Sequence, residues 1–299
     1  MLIGRFWLRR WVRTIPPYLV ALLFSYLAVY VARHEPFDYG YLVFLQNYYE
    51  RIPFFLVSWS LCVEEHFYLL LPLAFLIWRG VGDYRLTVAL LLTILLVPPV
   101  FRCVQYPGSA IDFGFAQTAT HLRMEGLILG FLLSYIATEA PRDFQAIARK
   151  APYVILICAL SLPLLELAGG QLHYTLWMTI VALLFAAVLV FAVSCNEIGS
   201  SFARVVCPVA LASYSMYLVH PLALHVAQIA SKGHVAALYF SLAVALVAGS
   251  TAMLFFAVER TSIAIRDLRW PRRMAQPAAQ FAVDPTMIRS ADQVPRSSI

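Results

Sequence analysis

Charge is scarce in this chain. Asp, Glu, Lys and Arg make up 13% of its 299 residues, about half the share found in soluble domains. Hydrophobic residues reach 62%, so a soluble globular fold is excluded. Acidic residues are scarcer than basic ones, 16 against 22, for a net charge of +6. That excess does not indicate a nucleic-acid partner. The basic residues sit in short stretches between apolar runs and build no compact basic domain. The five cysteines, Cys62, Cys103, Cys158, Cys195 and Cys207, have no CxxC or zinc-ligand spacing, which gives neither a disulfide framework nor a metal site. Also missing are a G-x-S-x-G elbow, a Walker loop and H-E-x-x-H. No small-residue cleavage site closes the basic start Met1–Arg10, which therefore reads as a signal anchor.

What the chain has in quantity is long apolar sequence. Eight segments, at about 15–32, 52–78, 86–101, 121–137, 151–168, 174–193, 210–230 and 236–258, predict an all-α polytopic membrane bundle of about eight transmembrane helices. One membrane domain covers residues 1–265, and residues 266–299 read as a polar, disordered cytoplasmic tail. Pro98-Pro99 predicts a kink in the third segment. Lys and Arg concentrate before the first segment and after the second, fourth, sixth and eighth. Both termini are therefore expected in the cytoplasm, with the lipid bilayer as the chain's medium.

Against that background the second segment is anomalous. Glu64, Glu65 and His66 are its readily charged residues between Ile52 and Trp78. An ionised carboxylate at a helix centre costs about 2.5–3.5 kcal/mol on insertion scales, so such groups mark function by default. The topology predicts Ser58 to His66 in the outer half of the second segment. His121, Arg123 and Glu125 are then expected at the outer end of the fourth, and His220 near mid-depth in the seventh. A shared cavity would house them. Helical spacing puts Ser58, Cys62 and Glu65 on one face and turns Glu64 about 100° away. One carboxylate is thus expected to act on substrate while the other pairs with Arg123 or a backbone donor. A buried network that only joins helices is the competing reading of these groups. Gly126 and Gly130 form a GxxxG pair expected to let helices approach, and Glu259-Arg260 is expected as an interfacial pair. His220-Pro221 places a histidine at a helix kink, suited either to moving a proton or to bonding a neighbouring helix.

Several pieces of the sequence resemble the acyltransferase-3 family of integral-membrane acyltransferases. They are the basic run Arg9-Arg10-Trp11-Val12-Arg13 leading to Pro16-Pro17-Tyr18, then Phe44-Leu45-Gln46-Asn47, then Ser58-Trp59-Ser60-Leu61-Cys62-Val63-Glu64-Glu65-His66-Phe67-Tyr68. Arg123-Met124-Glu125-Gly126 through Gly130, Ser213-Tyr214-Ser215-Met216-Tyr217-Leu218-Val219-His220-Pro221 and Glu259-Arg260 follow in the family's order. The resemblance implies transfer of an acyl group, commonly acetyl from a cytoplasmic acyl-CoA, to a hydroxyl of a sugar, glycan or related acceptor. It implies no bound cofactor, and it implies a multi-pass protein of a bacterial-type inner (plasma) membrane. It further implies catalytic roles among Glu64, Glu65, His66, Arg123, Glu125 and His220. Substrate contacts are implied for Ser58, Trp59, Ser60, Tyr68, Asn47, Tyr214 and Tyr217. His66 stands where the family usually has glutamine, and Cys62 where serine or alanine is common. Family members typically have ten helices, the first bearing an arginine and a histidine with no counterpart here, so the sequence reads as starting at an internal methionine. Three functions stay open at this point: an O-acyltransferase, an inactive truncated member acting as a structural or partner protein, and a proton-coupled transporter. Oligomeric state is not legible.

Overall fold

The computed structural model describes residues 2–78, 82–105, 115–195, 200–232 and 235–270. The polar tail from residue 271 onward, together with Arg79 and His234, lies outside the described residues. The fold is a helix bundle. Its elements are α1 (Leu2–Arg33), α2 (Ser58–Trp78), α3 (Tyr84–Leu95), α4 (Val97–Val104), α5 (Phe115–Thr118), α6 (Glu125–Glu139), α7 (Pro141–Ala168), α8 (Gly170–Ser194), α9 (Ser200–Ala230), α10 (Ala236–Leu254) and α11 (Arg260–Arg269).

Local sequence sets the boundaries. Asp83 caps α3 by accepting from the Leu86 N–H at 3.0 Å. The kink expected at Pro98-Pro99 is a break between α3 and α4, with the prolines in the first turn of α4, where their missing N–H groups cost no hydrogen bond. Gly169, at φ 59°, turns α7 directly into α8 in a conformation that side-chain-bearing residues avoid. Between α10 and α11 the helix widens into a π-helical turn, Phe255–Glu259, and continues, so the first residues of the expected tail are helical. Arg9 on α1 meets Asp267 on α11 at 3.2 Å, which sets these two terminal elements at one end of the bundle.

Among the described residues, six helical stretches are long and apolar enough to cross a membrane: Ile3–Arg33, Tyr84–Val104, Pro141–Ala168, Gly170–Ser194, Phe202–Ala230 and Ala236–Arg269. Large apolar side chains such as Leu164, Leu167, Phe185 and Val205 stand exposed on them, as a hydrocarbon solvent permits. The fourth expected crossing is shorter than a membrane span. The fourth segment gives only the 15-residue α6, about 22 Å long against a hydrocarbon core of about 30 Å. The second gives the 21-residue α2, about 32 Å long and so long enough to cross, which carries the glutamates and starts deep in the bundle.

That depth comes from the connection between α1 and α2, which folds back inward instead of staying at the surface. Tyr18 on α1 donates its hydroxyl to the Tyr41 carbonyl at 2.8 Å, and Tyr41 donates to the Phe54 carbonyl at 3.1 Å. Burial raises the Tyr41 phenol above its ordinary range, so it stays a protonated donor. Phe44 and Phe55 stack near Tyr18 with ring centroids 4.9 and 5.8 Å away. Both phenylalanines hold positive φ, 58° and 31°. Bulky residues adopt such backbone only when surrounding packing over-determines it. With Leu61, Leu218 and Leu254 these rings form the main core, so the centre of the molecule is built around an inward-folded loop.

Gly126 and Gly130 do not mediate the expected helix contact. An added Cβ at either would meet nothing within 4 Å among the described residues, because α6 packs through Ile128, Leu129, Leu132 and Ile136 instead. Gly130→Ala should therefore raise stability, by up to about 1 kcal/mol from helix propensity alone. Thermal unfolding of the purified variant in detergent checks this, and a lowered midpoint would restore the packing role.

Candidate active site

The inward loop lowers the first turns of α2 to the level of Tyr18, and this moves the glutamates. They do not lie in the half expected from the loop charges. Arg10, eight residues into α1, binds both: its Nη2 donates to Glu64 Oε2 at 3.0 Å and its Nε to Glu65 Oε1 at 3.2 Å. The carboxylates therefore sit near the arginine-bearing end of α1. The 23 residues from Arg10 to Arg33 put them about 35 Å from its other end. The 100° divergence between adjacent side chains is real, but one guanidinium fork is broad enough to span it.

The two carboxylates are not equivalent. Glu65 is buried, 9% exposed, and its second oxygen accepts from Trp11 Nε1 at 3.0 Å. Its oxygens are thus both engaged. The Glu64 side chain is 44% exposed, with Oε2 on Arg10. Tyr68 closes the site from below: the Arg10 guanidinium lies 3.4 Å from the ring centroid, a cation–π contact that leaves the in-plane N–H groups for the carboxylates. Trp7 donates to the Tyr68 carbonyl at 2.9 Å.

α9 supplies the facing wall. Tyr214 donates to the Thr14 carbonyl at 2.7 Å, which fixes α9 alongside α1. Tyr217 Oη lies 2.5 Å from Ser60 Oγ, one helical turn from Glu64, and donates to the Val57 carbonyl at 2.9 Å. His220 Nδ1 is 2.8 Å from the Tyr217 carbonyl. A carbonyl only accepts, so Nδ1 is the donor, and in the neutral ring Nε2 holds the lone pair. Glu64, Glu65, Tyr68, Ser60, Tyr214, Tyr217 and His220 thus share one interface among α1, α2 and α9.

The remaining sequence candidates gather elsewhere. Ser58 Oγ accepts from Gln46 Nε2 at 3.0 Å and donates to the Phe55 carbonyl at 2.7 Å. Asn47 donates to Thr120 Oγ1 at 2.8 Å, and that hydroxyl lies 2.7 Å from His66 Nδ1. Ser58, Asn47 and His66 therefore tie the inward loop to α2 and to the turn before α6. Arg123 approaches neither glutamate of α2. Its Nε donates to the Gln117 carbonyl, and its guanidinium lies over Trp59, 5.1 Å from the ring centroid. Glu125 pairs with Arg102, which also donates to Thr179 Oγ1 at 2.7 Å and to the Thr175 carbonyl at 3.0 Å. Both partners are 2% exposed. Glu259 is not interfacial: it is fully buried in the π-helical turn, accepts from Ser215 Oγ at 2.6 Å and faces Arg13 at 3.6 Å.

Arg10 and Trp11 are the site residues that residue-by-residue reasoning missed. Their signal lies in the basic run, which marks the topology and the family resemblance without assigning either residue to the site. The carboxylate pair in an apolar helix demands a cation, and the basic run at the start of α1 supplies it.

The acyltransferase domain of the acyltransferase-3 family matches residues 2–256. The chain belongs to this family. No curated protein and no solved structure matches it. Membership makes it a membrane acyltransferase, and every group around Arg10 falls within the matched residues.

Proposed function

We propose that this acyltransferase moves an acyl group, acetyl in the simplest case, from an acyl-CoA to a hydroxyl of a sugar, glycan or related acceptor. The setting is a bacterial-type inner membrane, with the arginine-bearing end of α1 in the cytoplasm where acyl-CoA is found. The observation that carries the reading is the asymmetry of the glutamate pair. Glu65 is spent on Arg10 and Trp11, while Glu64 is held in place by one bond and remains accessible.

In this scheme Glu64 takes the proton of the acceptor hydroxyl as its oxygen attacks the thioester carbonyl. The C–S bond breaks, the CoA thiolate leaves, and a proton returns to the sulfur. As Glu64 becomes neutral its hold on Arg10 weakens, and the freed N–H stabilises the oxyanion of the tetrahedral intermediate. Glu65 keeps the guanidinium oriented throughout. Ser60, Tyr214, Tyr217 and Tyr68 line the acceptor side, and His220 Nε2 is the second proton acceptor on that wall. Trp59, Ser58, Asn47, His66, Arg123 and Glu125 serve by holding the inward loop and the turn before α6, not by touching the reacting atoms.

The test is direct transfer. Purified full chain in detergent is incubated with radiolabelled acetyl-CoA and a panel of mono- and oligosaccharides. Label should appear on acceptor as a base-labile ester. Intact acetyl-CoA and no labelled acceptor across the panel would overturn the reading and leave the chain as a folded partner protein.

A further inference from the structure

A second site lies outside the glutamate cluster. A cavity of about 310 Å³ lies between α1, α9 and α10, lined by residues including Ala21, Phe24, Leu222, Ala223, Met253 and Ala257. Its walls belong to three of the stretches long and apolar enough to cross a membrane. Phe24 and Met253 are 53% and 71% exposed, so the groove opens on the outside of the bundle. Ser250 offers an occupant little, because its hydroxyl donates to the Leu246 carbonyl of its own helix at 2.6 Å. A slender hydrocarbon fits this lining.

The ends of the groove differ. Towards the arginine-bearing end, Arg13 lies two turns before Val20 on the same face of α1, and Arg260 follows Ala257 by less than one turn. Arg13 meets Glu259 only at 3.6 Å and its side chain is 44% exposed. Arg260 lies over the Phe256 ring at 5.8 Å and forms no carboxylate pair among the described residues. Beyond this end of the apolar slot, along the helices that line it, stand two guanidinium groups whose charge is incompletely answered.

We propose that this groove binds an anionic phospholipid, one acyl chain lying between α1, α9 and α10 and the phosphate held by Arg13 and Arg260. Basic pockets between transmembrane helices recognise acidic headgroups by this charge complementarity. Nothing here depends on the transferase scheme, because neither Arg13, Arg260 nor any residue lining the groove has a role in it.

Native mass spectrometry of the full chain, released from micelles containing phosphatidylglycerol and phosphatidylcholine of matched chains, tests it. Phosphatidylglycerol should be retained about tenfold more than phosphatidylcholine. Ala223→Phe and Ala257→Phe, which fill the groove from different helices, should each abolish retention. Arg260→Gln, at an exposed position, should keep the lipid and lose most of the preference. Equal retention of the two lipids by the native chain would overturn the proposal, as would unchanged retention in both groove variants. Displacement of the phospholipid by a long-chain acyl-CoA would assign the groove to the acyl donor and overturn it as well.

Discussion

Arg102→Met should destabilise the bundle by about 3–5 kcal/mol, the largest single-residue effect expected outside the hydrophobic core. Arg102 joins four elements at once: it stands on α4, donates to the Leu122 carbonyl before α6, pairs with Glu125 at the start of α6, and reaches Thr175 and Thr179 on α8. Methionine keeps much of the volume but removes every donor. Glu125, 2% exposed, would then be a buried carboxylate held among the described residues by the Thr179 hydroxyl, 3.0 Å away, with the Arg123 charge beyond hydrogen-bond reach. The cost comes from that stranded charge more than from the lost attraction, so Arg102→Met with Glu125→Leu should recover most of it. Urea or thermal unfolding of the purified variants in detergent reads both numbers. A loss below about 1 kcal/mol for the single variant would mean that water reaches the pair and that Glu125 is free for other work.

The same pair shows where the sequence was informative and where it was not. Apolar runs and proline positions announced a helical membrane bundle, because helix formation and burial are local or compositional properties. The break at Pro98-Pro99 and the turn at Gly169 follow from backbone chemistry that any neighbour must accept. Which arginine answers which carboxylate is a different kind of fact. Arg123 was the nearer candidate for the α2 glutamates by expected depth, yet Arg10 holds them, since depth was counted on a surface connection between α1 and α2. That connection instead folds inward on Tyr18, Tyr41 and Gln46, and nothing in hydropathy reports hydrogen bonds between a loop and a helix. Gly126 and Gly130 mislead for the same reason: spacing says that two backbones can approach, not that a second one is there. The glutamates themselves were conspicuous from the start. Their inequality was not, because it rests on Trp11, an aromatic residue that sequence patterns assign to the membrane interface.

That inequality makes the two glutamine substitutions diverge. Glu64→Gln should lower kcat about 10²–10⁴-fold, the range contributed by a positioned general base, with KM for the acceptor little changed. The side chain is 44% exposed, so unfolding should stay close to that of the native chain. Glu65→Gln should act the other way round. Its amide can accept from Trp11 or face Arg10, but the amide –NH₂ set against either N–H donor leaves a buried donor unpaired, at about 1–3 kcal/mol. Stability should therefore fall, and Arg10, no longer braced on its inner side, should misalign. Activity then drops through both KM and kcat, with the kcat loss smaller than for Glu64→Gln. Steady-state kinetics with labelled acetyl-CoA, alongside unfolding curves for each variant, separates the two patterns. A larger kcat loss in Glu65→Gln at unchanged stability would reverse the roles, making Glu65 the base and Glu64 its brace. Near-native kcat in both would remove the carboxylates from the chemistry and leave His220 Nε2 as the proton acceptor of the site.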